Sequence, residues 1–182
     1  MTRAGPPHLL ETPRLRLVPL DGSWTSALAA LYADPAVARH LGGEPAGADG
    51  PARQVEGFAR EWEREGWGTS ALLDRGTGAF VGRAGLHRWH PGGDVELGYV
   101  LARDRWGRGL AREAAQAWLD WADEHLPGAD PPVTSVVVEV EPENTASLRL
   151  AHRLGFTSER DDVTSRGVPV VVWRRELLPP AP

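Results

Sequence analysis

Residues 95–119 have the sequence VELGYVLARDRWGRGLAREAAQAWL, and this stretch decides the fold. Its first seven residues are β-branched, aromatic or otherwise apolar except for Glu96 and one glycine, which predicts a largely buried strand. Its last part places Leu110, Ala114 and Trp118 at helical spacing, which predicts a helix with one apolar face. A charged turn with two glycines joins the two elements. The stretch therefore predicts a strand, a glycine-bearing turn and a helix in succession.

The turn predicts an anion-binding site at the start of the helix. The first N–H groups of a helix have no partner within it, and the positive end of the helix dipole lies beside them. Gly107 and Gly109 let the backbone approach a ligand closely. A phosphate or pyrophosphate suits this arrangement. Two nucleotide motifs do not fit: Arg112 breaks the GxGxxG pattern, and the chain has no Gly-Lys-Ser/Thr sequence.

The composition excludes several classes of protein. A chain of 182 residues has the length of a single domain with one buried core. The net charge of −5 gives no basic field for nucleic acid or anionic membranes. The absence of cysteine excludes disulfides, thiolate metal sites and a cysteine nucleophile. The N-terminus lacks the apolar core of a signal peptide, and no apolar run is long enough to span a bilayer. We expect a cytoplasmic protein without nucleic-acid or membrane partners.

The periodicity of the remaining chain predicts the element order β, α, α, β, β, β, α, β, α, β, β. Residues 1–12 are expected to form a flexible leader and residues 13–178 a single domain. This order implies a mixed sheet with helices on both faces. The strands are predicted at 14–20, 68–74, 79–89, 95–101, 135–140, 157–163 and 168–175. The helices are predicted at 21–33, at 49–66, from 110 onward, and from 142 to 154.

Four segments in this order resemble the GNAT acyltransferases, which use an acyl-coenzyme A donor. The glycine loop of this chain, with its Trp-Gly, and its Thr-Pro-Arg-Leu start are most similar to the ribosomal-protein N-terminal acetyltransferase branch, the RimJ/RimL type. The resemblance implies the acyl-CoA N-acyltransferase fold, an α+β (α/β three-layer) domain with a mostly antiparallel sheet whose fourth and fifth strands splay apart. The segments are ETPRLRL (11–17), VELGYVL (95–101), RWGRGLA (105–111) and NTASLRLAHRLGF (144–156).

The resemblance implies acetyl-CoA as the acyl donor and no metal. Backbone amides of the loop would bind the pyrophosphate, and flanking arginines would reach the phosphates of the coenzyme. The strand before the loop would carry the pantetheine arm, and Asn144 would bond the arm while capping its own helix. Trp106 departs from the arginine or glutamine of many relatives, but backbone would supply the contact there. The implied coenzyme-binding residues are Tyr99, Val100, Leu101, Arg105, Trp106, Gly107, Arg108, Gly109, Leu110, Ala111 and Asn144.

The predicted catalytic residues are Glu96 and Ser147. An amine is mostly protonated at neutral pH, since its pKa is about 8 for an α-amine and about 10.4 for lysine. A base must therefore take a proton, and the departing thiolate needs a donor. Glu96 is the only acid in its strand and stands where relatives often carry their base, with a structural carboxylate paired to an arginine as the alternative. Ala151 occupies the position of the tyrosine acid in many relatives, so the resemblance assigns this role to Ser147, with a surface serine as the alternative.

Several aromatic and histidine side chains have no assigned role. His87 and His90 lie three residues apart on a predicted strand and so point to opposite faces, and no third ligand for a metal is evident. His87 is expected to face the acceptor groove. Trp67 or Trp89 would line the same groove, although most of the eight tryptophans suit a core.

The branch resemblance predicts that the acceptor is the N-terminal α-amine of a protein or peptide, which attacks the thioester directly in a ternary complex. A small amine such as an aminoglycoside or polyamine is an alternative, because an acidic chain attracts polycations. A second alternative is a catalytically degenerate domain that senses acyl-CoA. A homodimer is an open expectation.

Overall fold

The centre of the molecule is an eight-stranded sheet with the strand order β1-β2-β3-β4-β5-β6-β8-β7. The structure is a computed structural model, and it describes residues 10–41, 49–89, 94–164 and 167–178. Neighbouring strands are antiparallel except β5 and β6, which are parallel, so the prediction of a mixed, mostly antiparallel sheet is confirmed. The strands are β1 (Leu10–Glu11), β2 (Leu15–Pro19), β3 (Thr69–Asp74), β4 (Phe80–Arg88), β5 (Val95–Leu101), β6 (Ser135–Val140), β7 (Thr157–Val163) and β8 (Pro169–Glu176).

Five α-helices lie within the described residues. Helix α2 is a single turn that begins at a proline, and the Asp34 carboxylate caps it by accepting the Ala36 N–H at 2.8 Å. In the part of the chain that the structure describes, no helix is both long and apolar enough to cross a bilayer. The helices are α1 (Thr25–Tyr32), α2 (Pro35–Ala38), α3 (Gly50–Glu65), α4 (Leu110–His125) and α5 (Thr145–Arg153).

The two faces of the sheet carry separate apolar cores. Alternate residues of each strand point to opposite faces, so Leu17 and Leu101 join one core while Val18 and Val100 join the other. The first core lies under α4 and α5, and the second lies under α1, α2 and α3. Helices therefore cover both faces, as the element order predicts, and the fold has three layers.

The sheet is open at its middle. Strand β5 pairs with β4 along its whole length, from Val95 to Leu101. It pairs with β6 only at its start, where Val95 lies opposite Val136 and Glu96 lies opposite Val137. Beyond these residues the two parallel strands diverge. The predicted splay between the fourth and fifth strands of the family is therefore present, between β5 and β6 of this chain.

The folded part of the chain begins before residue 13, which corrects the predicted leader of residues 1–12. Leu10 and Glu11 form β1 and pair with β2. Thr12 is buried, and its hydroxyl donates a 2.6 Å hydrogen bond to Glu113 in α4. This tie to a distant helix is the physical reason, since a contact 101 residues away leaves no local pattern. Residues 1–9 lie outside the described residues.

Candidate active site

The divergence of β5 and β6 opens a cavity of about 850 Å³ between the two strands. Its walls come from β4, β5 and β6, from α3, from the first turn of α5 and from the β7–β8 hairpin. The cavity thus draws on a helix from the first half of the chain and on the last hairpin. Two of the predicted functional groups, Glu96 on β5 and Ser147 on α5, both line it.

Glu96 forms an ion pair with a histidine of the neighbouring strand. His87 is the register partner of Glu96 in the β4–β5 ladder, and its Nε2 lies 3.1 Å from Glu96 Oε2. The Glu96 side chain is 18% exposed and that of His87 is 37% exposed, so both reach the cavity without being fully solvated. Burial lowers the pKa of His87, but the hydrogen bond and charge of Glu96 outweigh burial and raise the pKa overall.

Glu61 is a third ionisable group in this cluster, and the sequence did not point to it. It lies on α3, is 9% exposed and lines the cavity. Its Oε1 accepts the Arg88 backbone N–H at 3.0 Å. Burial raises the pKa of Glu61, while the Arg88 N–H and the charge of His87 lower it, and the net pKa is raised. The feature of the sequence that could have identified Glu61 is an acidic residue on the sheet-facing side of a long predicted helix.

Arg83 also lines the cavity, and the sequence did not point to it either. It lies on β4 opposite Val100, and its Nε donates a 2.5 Å hydrogen bond to the Tyr32 hydroxyl. Its guanidinium stacks over the Phe58 ring, 5.3 Å from the ring centre. Its charge opposes protonation of His87. The cavity therefore carries a positive group close to the proposed base.

Ser147 and Asn144 lie at the start of α5. The Asn144 side chain caps the helix by accepting the Ser147 N–H at 3.1 Å, as the sequence predicts for a cap. The Ser147 hydroxyl lies beside the Tyr99 hydroxyl of β5 and lowers its pKa, but burial raises that pKa more. The Tyr99 hydroxyl is buried and makes no hydrogen bond of normal geometry to any described residue. Two hydroxyls therefore lie together at the cavity.

The loop between β5 and α4 has the geometry expected of an anion-binding turn. Gly107 and Gly109 have φ angles of 72° and 76°, which residues with a Cβ rarely adopt. Helix α4 begins at Leu110, and Ala111 follows in its first turn, so the backbone N–H groups there have no partner within the helix. The loop can thus direct free N–H groups at a phosphate.

The N-terminal Thr-Pro-Arg segment holds this loop in place. Arg14 Nη1 donates to the Arg108 carbonyl at 2.7 Å, and its guanidinium forms an ion pair of 2.6 Å with Glu113. The Glu113 carboxylate also accepts the Thr12 hydroxyl. Burial raises the pKa of Glu113, but these hydrogen bonds and the charge of Arg14 lower it overall. One carboxylate thus joins the chain start, the loop and the first turn of α4.

The arginines around the loop fall into two groups. Arg105 forms ion pairs with Asp74 at 3.5 Å and with Asp104 at 3.2 Å, so its charge is already neutralised. Arg103, Arg108 and Arg112 are exposed and form no ion pair within the described residues. Of the two arginines predicted to reach the coenzyme phosphates, Arg105 is paired with carboxylates and Arg108 has no ion pair within the described residues.

The predicted pantetheine strand lies along the open gap. Tyr99, Val100 and Leu101 follow the point where β6 diverges from β5. The Trp106 indole N–H donates to the Leu101 carbonyl at 2.8 Å, which fixes the loop against the strand end. That carbonyl already has a partner, and the backbone groups of Val100 face β4, so Tyr99 offers the more open backbone at the gap.

The remaining aromatic and histidine residues divide between core and cavity. Trp89 lines the cavity, and its indole N–H donates to Glu139 at 2.8 Å. Trp67 is 6% exposed and packs in the core against Trp121, so it does not line the groove. His90 lies outside the described residues. Within those residues, no three His, Asp or Glu side chains cluster as metal ligands would.

The geometry corresponds to a known family. A family model described as Acetyltransferase (GNAT) domain matches residues 14–157. The chain belongs to the GNAT acetyltransferase family. As a GNAT acetyltransferase it is an acyl-coenzyme A-dependent transferase, and its donor substrate is acetyl-CoA.

Individual relatives support this assignment across nearly the whole chain. The uncharacterized N-acetyltransferase p20 of Bacillus licheniformis is 28% identical over 174 residues, which cover 93% of this GNAT chain and 95% of the relative. A putative GnaT-family acetyltransferase from Bordetella pertussis has a TM-score of 0.74 and 30% identity, with 92% and 98% of the chains covered. The ribosomal L7/L12 α-N-protein acetyltransferase RimL in complex with coenzyme A has a TM-score of 0.73 at 19% identity, covering 93% and 98%, and shares the fold.

Proposed function

We propose that this GNAT enzyme acetylates the N-terminal α-amine of a protein or peptide. The single observation that carries the proposal is the Glu96–His87 pair, which lies at the gap between β5 and β6 and faces an open cavity. A carboxylate and an imidazole at this position provide the proton acceptor that a protonated amine requires. The cavity volume of about 850 Å³ suits the end of a peptide chain.

The reaction proceeds by direct attack. The protonated amine first gives a proton to Glu96, directly or through water, and His87 is placed to share it. The free amine nitrogen then forms a bond to the thioester carbon of acetyl-CoA. The carbon–sulfur bond breaks and its electron pair leaves with the sulfur as a thiolate. The second amine proton then passes to this thiolate and gives the thiol. The products are the acetylated amine and coenzyme A thiol, with one net proton released.

The hydroxyls of Ser147 and Tyr99 are placed to assist the leaving group. Ser147 lines the cavity from α5, while Glu96 approaches from the sheet face under α3. A hydroxyl that hydrogen-bonds a developing thiolate lowers the barrier to its departure. We assign this role to Ser147, with Tyr99 as its neighbour, because Ala151 supplies no hydroxyl at the position where many relatives have tyrosine.

The donor site uses mainly backbone. The loop from Trp106 to Ala111 is assigned to the pyrophosphate, with the free guanidinium of Arg108 beside it. The open edge of β5 at Tyr99 is assigned to the pantetheine arm, with the Val100 side chain lining the same cavity. Asn144 lines the cavity at the start of α5 and is assigned a contact to the same arm.

The choice of a protein N-terminus follows the RimJ/RimL-like motifs. The sequence has the Trp-Gly loop and the Thr-Pro-Arg start of that branch, and the solved RimL structure is named as an α-N-protein acetyltransferase. An α-amine also suits a site without a tyrosine acid, since its lower pKa asks less of the base.

A thiol-release assay with acetyl-CoA tests the proposal. The acceptors would be a panel of peptides with free N-termini, the same peptides with blocked N-termini, an aminoglycoside and a polyamine. We expect turnover with free N-termini and none with blocked ones that carry no lysine. Turnover confined to the aminoglycoside or polyamine would overturn the peptide assignment. Acetyl-CoA binding without turnover on any amine would favour the sensor.

A further inference from the structure

Arg83 is the exception among the cations that line the cavity. The others each have a carboxylate partner within the described residues. Arg83 has none there, although it lies only one strand from Glu96 and contacts neutral groups alone. The paired cations and their partners are His40 with Glu141 at 3.4 Å, His87 with Glu96 at 3.1 Å, Arg60 with Glu56 at 3.7 Å and Arg64 with Glu65 at 2.8 Å.

The guanidinium of Arg83 is held in one orientation. Its Nε donates to the Tyr32 hydroxyl, and that hydroxyl donates to Gln54 Oε1 at 2.6 Å. The rings of Phe58 and Tyr32 lie 5.3 and 5.8 Å from its central carbon. These contacts use the Nε–H and the π system of the guanidinium, and the two terminal nitrogens, which make no hydrogen bond to a described residue, are left for a ligand. The apolar rings also lower the local polarity, which strengthens an ion pair formed there.

Gly98 keeps the space between this guanidinium and the proposed base open. A Cβ atom on Gly98 would lie 3.7 Å from Arg83 Nη1 and 3.9 Å from His87 Cε1. Both groups therefore face the same small volume above β5. An acceptor whose amine lies against Glu96 and His87 in this volume has Arg83 as its next polar neighbour.

We propose that Arg83 binds a carboxylate of the acceptor, close to the amine that is acetylated. An arginine fork matches a carboxylate with two charge-assisted hydrogen bonds, which a neutral amide accepts more weakly and an ammonium group cannot accept. The acceptor class is thus a primary amine with a nearby carboxylate: a peptide that begins with an acidic residue, or a free amino acid. This inference rests on the proposed function of the same site and narrows its substrate.

The same charge disfavours the alternative acceptors. An aminoglycoside or polyamine would bring additional ammonium groups beside the Arg83 guanidinium, and like charges in a partly buried cavity repel. The overall negative charge of the chain attracts such molecules at long range, but Arg83 acts at the point of reaction.

Matched acceptors test this proposal. Peptides that begin with aspartate and with asparagine differ by one carboxylate, and glutamate and glutamine give a second pair. Free amino acids and their amides distinguish a small acceptor from a peptide. We expect wild-type kcat/KM to be about tenfold higher for the carboxylate member of a pair. In Arg83→Gln this ratio should fall to near one, while Arg83→Lys should retain part of it. Arg60→Gln, an exposed cation on the same cavity, should leave the ratio unchanged.

The outcomes separate the two proposals. Equal rates for both members of each pair in the wild type, or an unchanged ratio in Arg83→Gln, would overturn the role of Arg83. If Arg83→Gln only reduced the amount of folded enzyme, the rates with both members of a pair would fall by the same factor. The ratio of their kcat/KM values would then stay at its wild-type value, so a fall in this ratio cannot come from misfolding. If no amine is acetylated, calorimetric binding of the same peptides to the enzyme with coenzyme A still tests Arg83. Binding that prefers the carboxylate in the wild type and loses that preference in Arg83→Gln would support it, and binding without preference would overturn it.

Discussion

His87 Nε2 lies 3.1 Å from Glu96 Oε2, across adjacent strands of the sheet. The proposed base is therefore half of a pair, and its carboxylate favours the charged form of the His87 imidazole. Glu61 approaches the same imidazole from α3 and favours its charged form, while Arg83 opposes it. Proton transfer at this site depends on four side chains from three elements.

We expect Glu96→Gln to lower kcat/KM about 100-fold at neutral pH, because it removes the proton acceptor. The loss should shrink towards about pH 9.5, where more of an α-amine is already unprotonated. Thiol-release kinetics across this range measure the effect. Glu141→Gln is the matched control, since it also lines the cavity and pairs with a histidine. An equal loss at every pH would remove Glu96 as the base.

We expect His87→Gln to be destabilising only at low pH. The pKa of His87 is raised above its ordinary value of about 6.5, so the charged imidazole stabilises the folded state. This contribution is fully present below the ordinary pKa and is lost as pH rises through the folded value. The free energy of unfolding should fall by no more than about 1 kcal/mol at about pH 5.5, because the pair is partly solvated.

Urea denaturation at several pH values measures this difference, with the exposed His152→Gln as the control. The two variants should converge with the wild type in stability above the folded pKa of His87. A destabilisation by His87→Gln that grows with pH would contradict the assigned direction of the shift.

We expect Ser147→Ala to lower kcat about tenfold while the KM for acetyl-CoA stays the same, because the hydroxyl acts on the departing thiolate. Tyr99→Phe removes a buried hydroxyl without a normal hydrogen bond and should stabilise the fold by up to about 1 kcal/mol. If both hydroxyls act on the sulfur, the double variant should lose less than the product of the two single effects. A wild-type kcat in Ser147→Ala would exclude its role.

We expect Arg14→Ala to raise the KM for acetyl-CoA about fivefold through a looser loop, with kcat little changed. The variant loses the 2.6 Å ion pair to Glu113 and the 2.7 Å hydrogen bond to the Arg108 carbonyl. Arg16→Ala is the control, since Arg16 is exposed and its one ion pair within the described residues is with Glu11 at 3.5 Å. Titration of each variant with acetyl-CoA measures the effect. Equal affinities for Arg14→Ala and Arg16→Ala would show that the loop holds its shape unaided.

Local patterns in the sequence predict most of the fold. The strands at 95–101, 135–140 and 157–163 have their predicted bounds, because alternation and β-branched residues act within a few positions. The cap of α5 by Asn144 is equally local. The motifs also predict the splay of β5 and β6, but only through resemblance to a family, since divergence of two strands has no periodicity of its own.

The partners of the site residues depend on contacts between distant segments. Glu96 is evident in its strand, but its register with His87 depends on how β4 and β5 align. Arg83 and Glu61 remained unassigned because nothing local indicates that α3 packs over this part of the sheet. The Thr-Pro-Arg segment is visible as a motif, yet its partner Glu113 lies 99 residues from Arg14.

The short pairing between β5 and β6 has a consequence for folding thermodynamics. Past Glu96, backbone groups on one edge of a central strand lack a strand partner, and in the proposed complex the pantetheine arm takes that place. Bound acetyl-CoA then takes the place of a neighbouring strand. At a concentration 100 times its Kd, it should add about 2.7 kcal/mol to the free energy of unfolding. Hydrogen exchange should slow most at the gap-facing amides of 97–101, by more than the general slowing that global stabilisation gives in β2. The stability of the enzyme would then rise and fall with the supply of its own substrate.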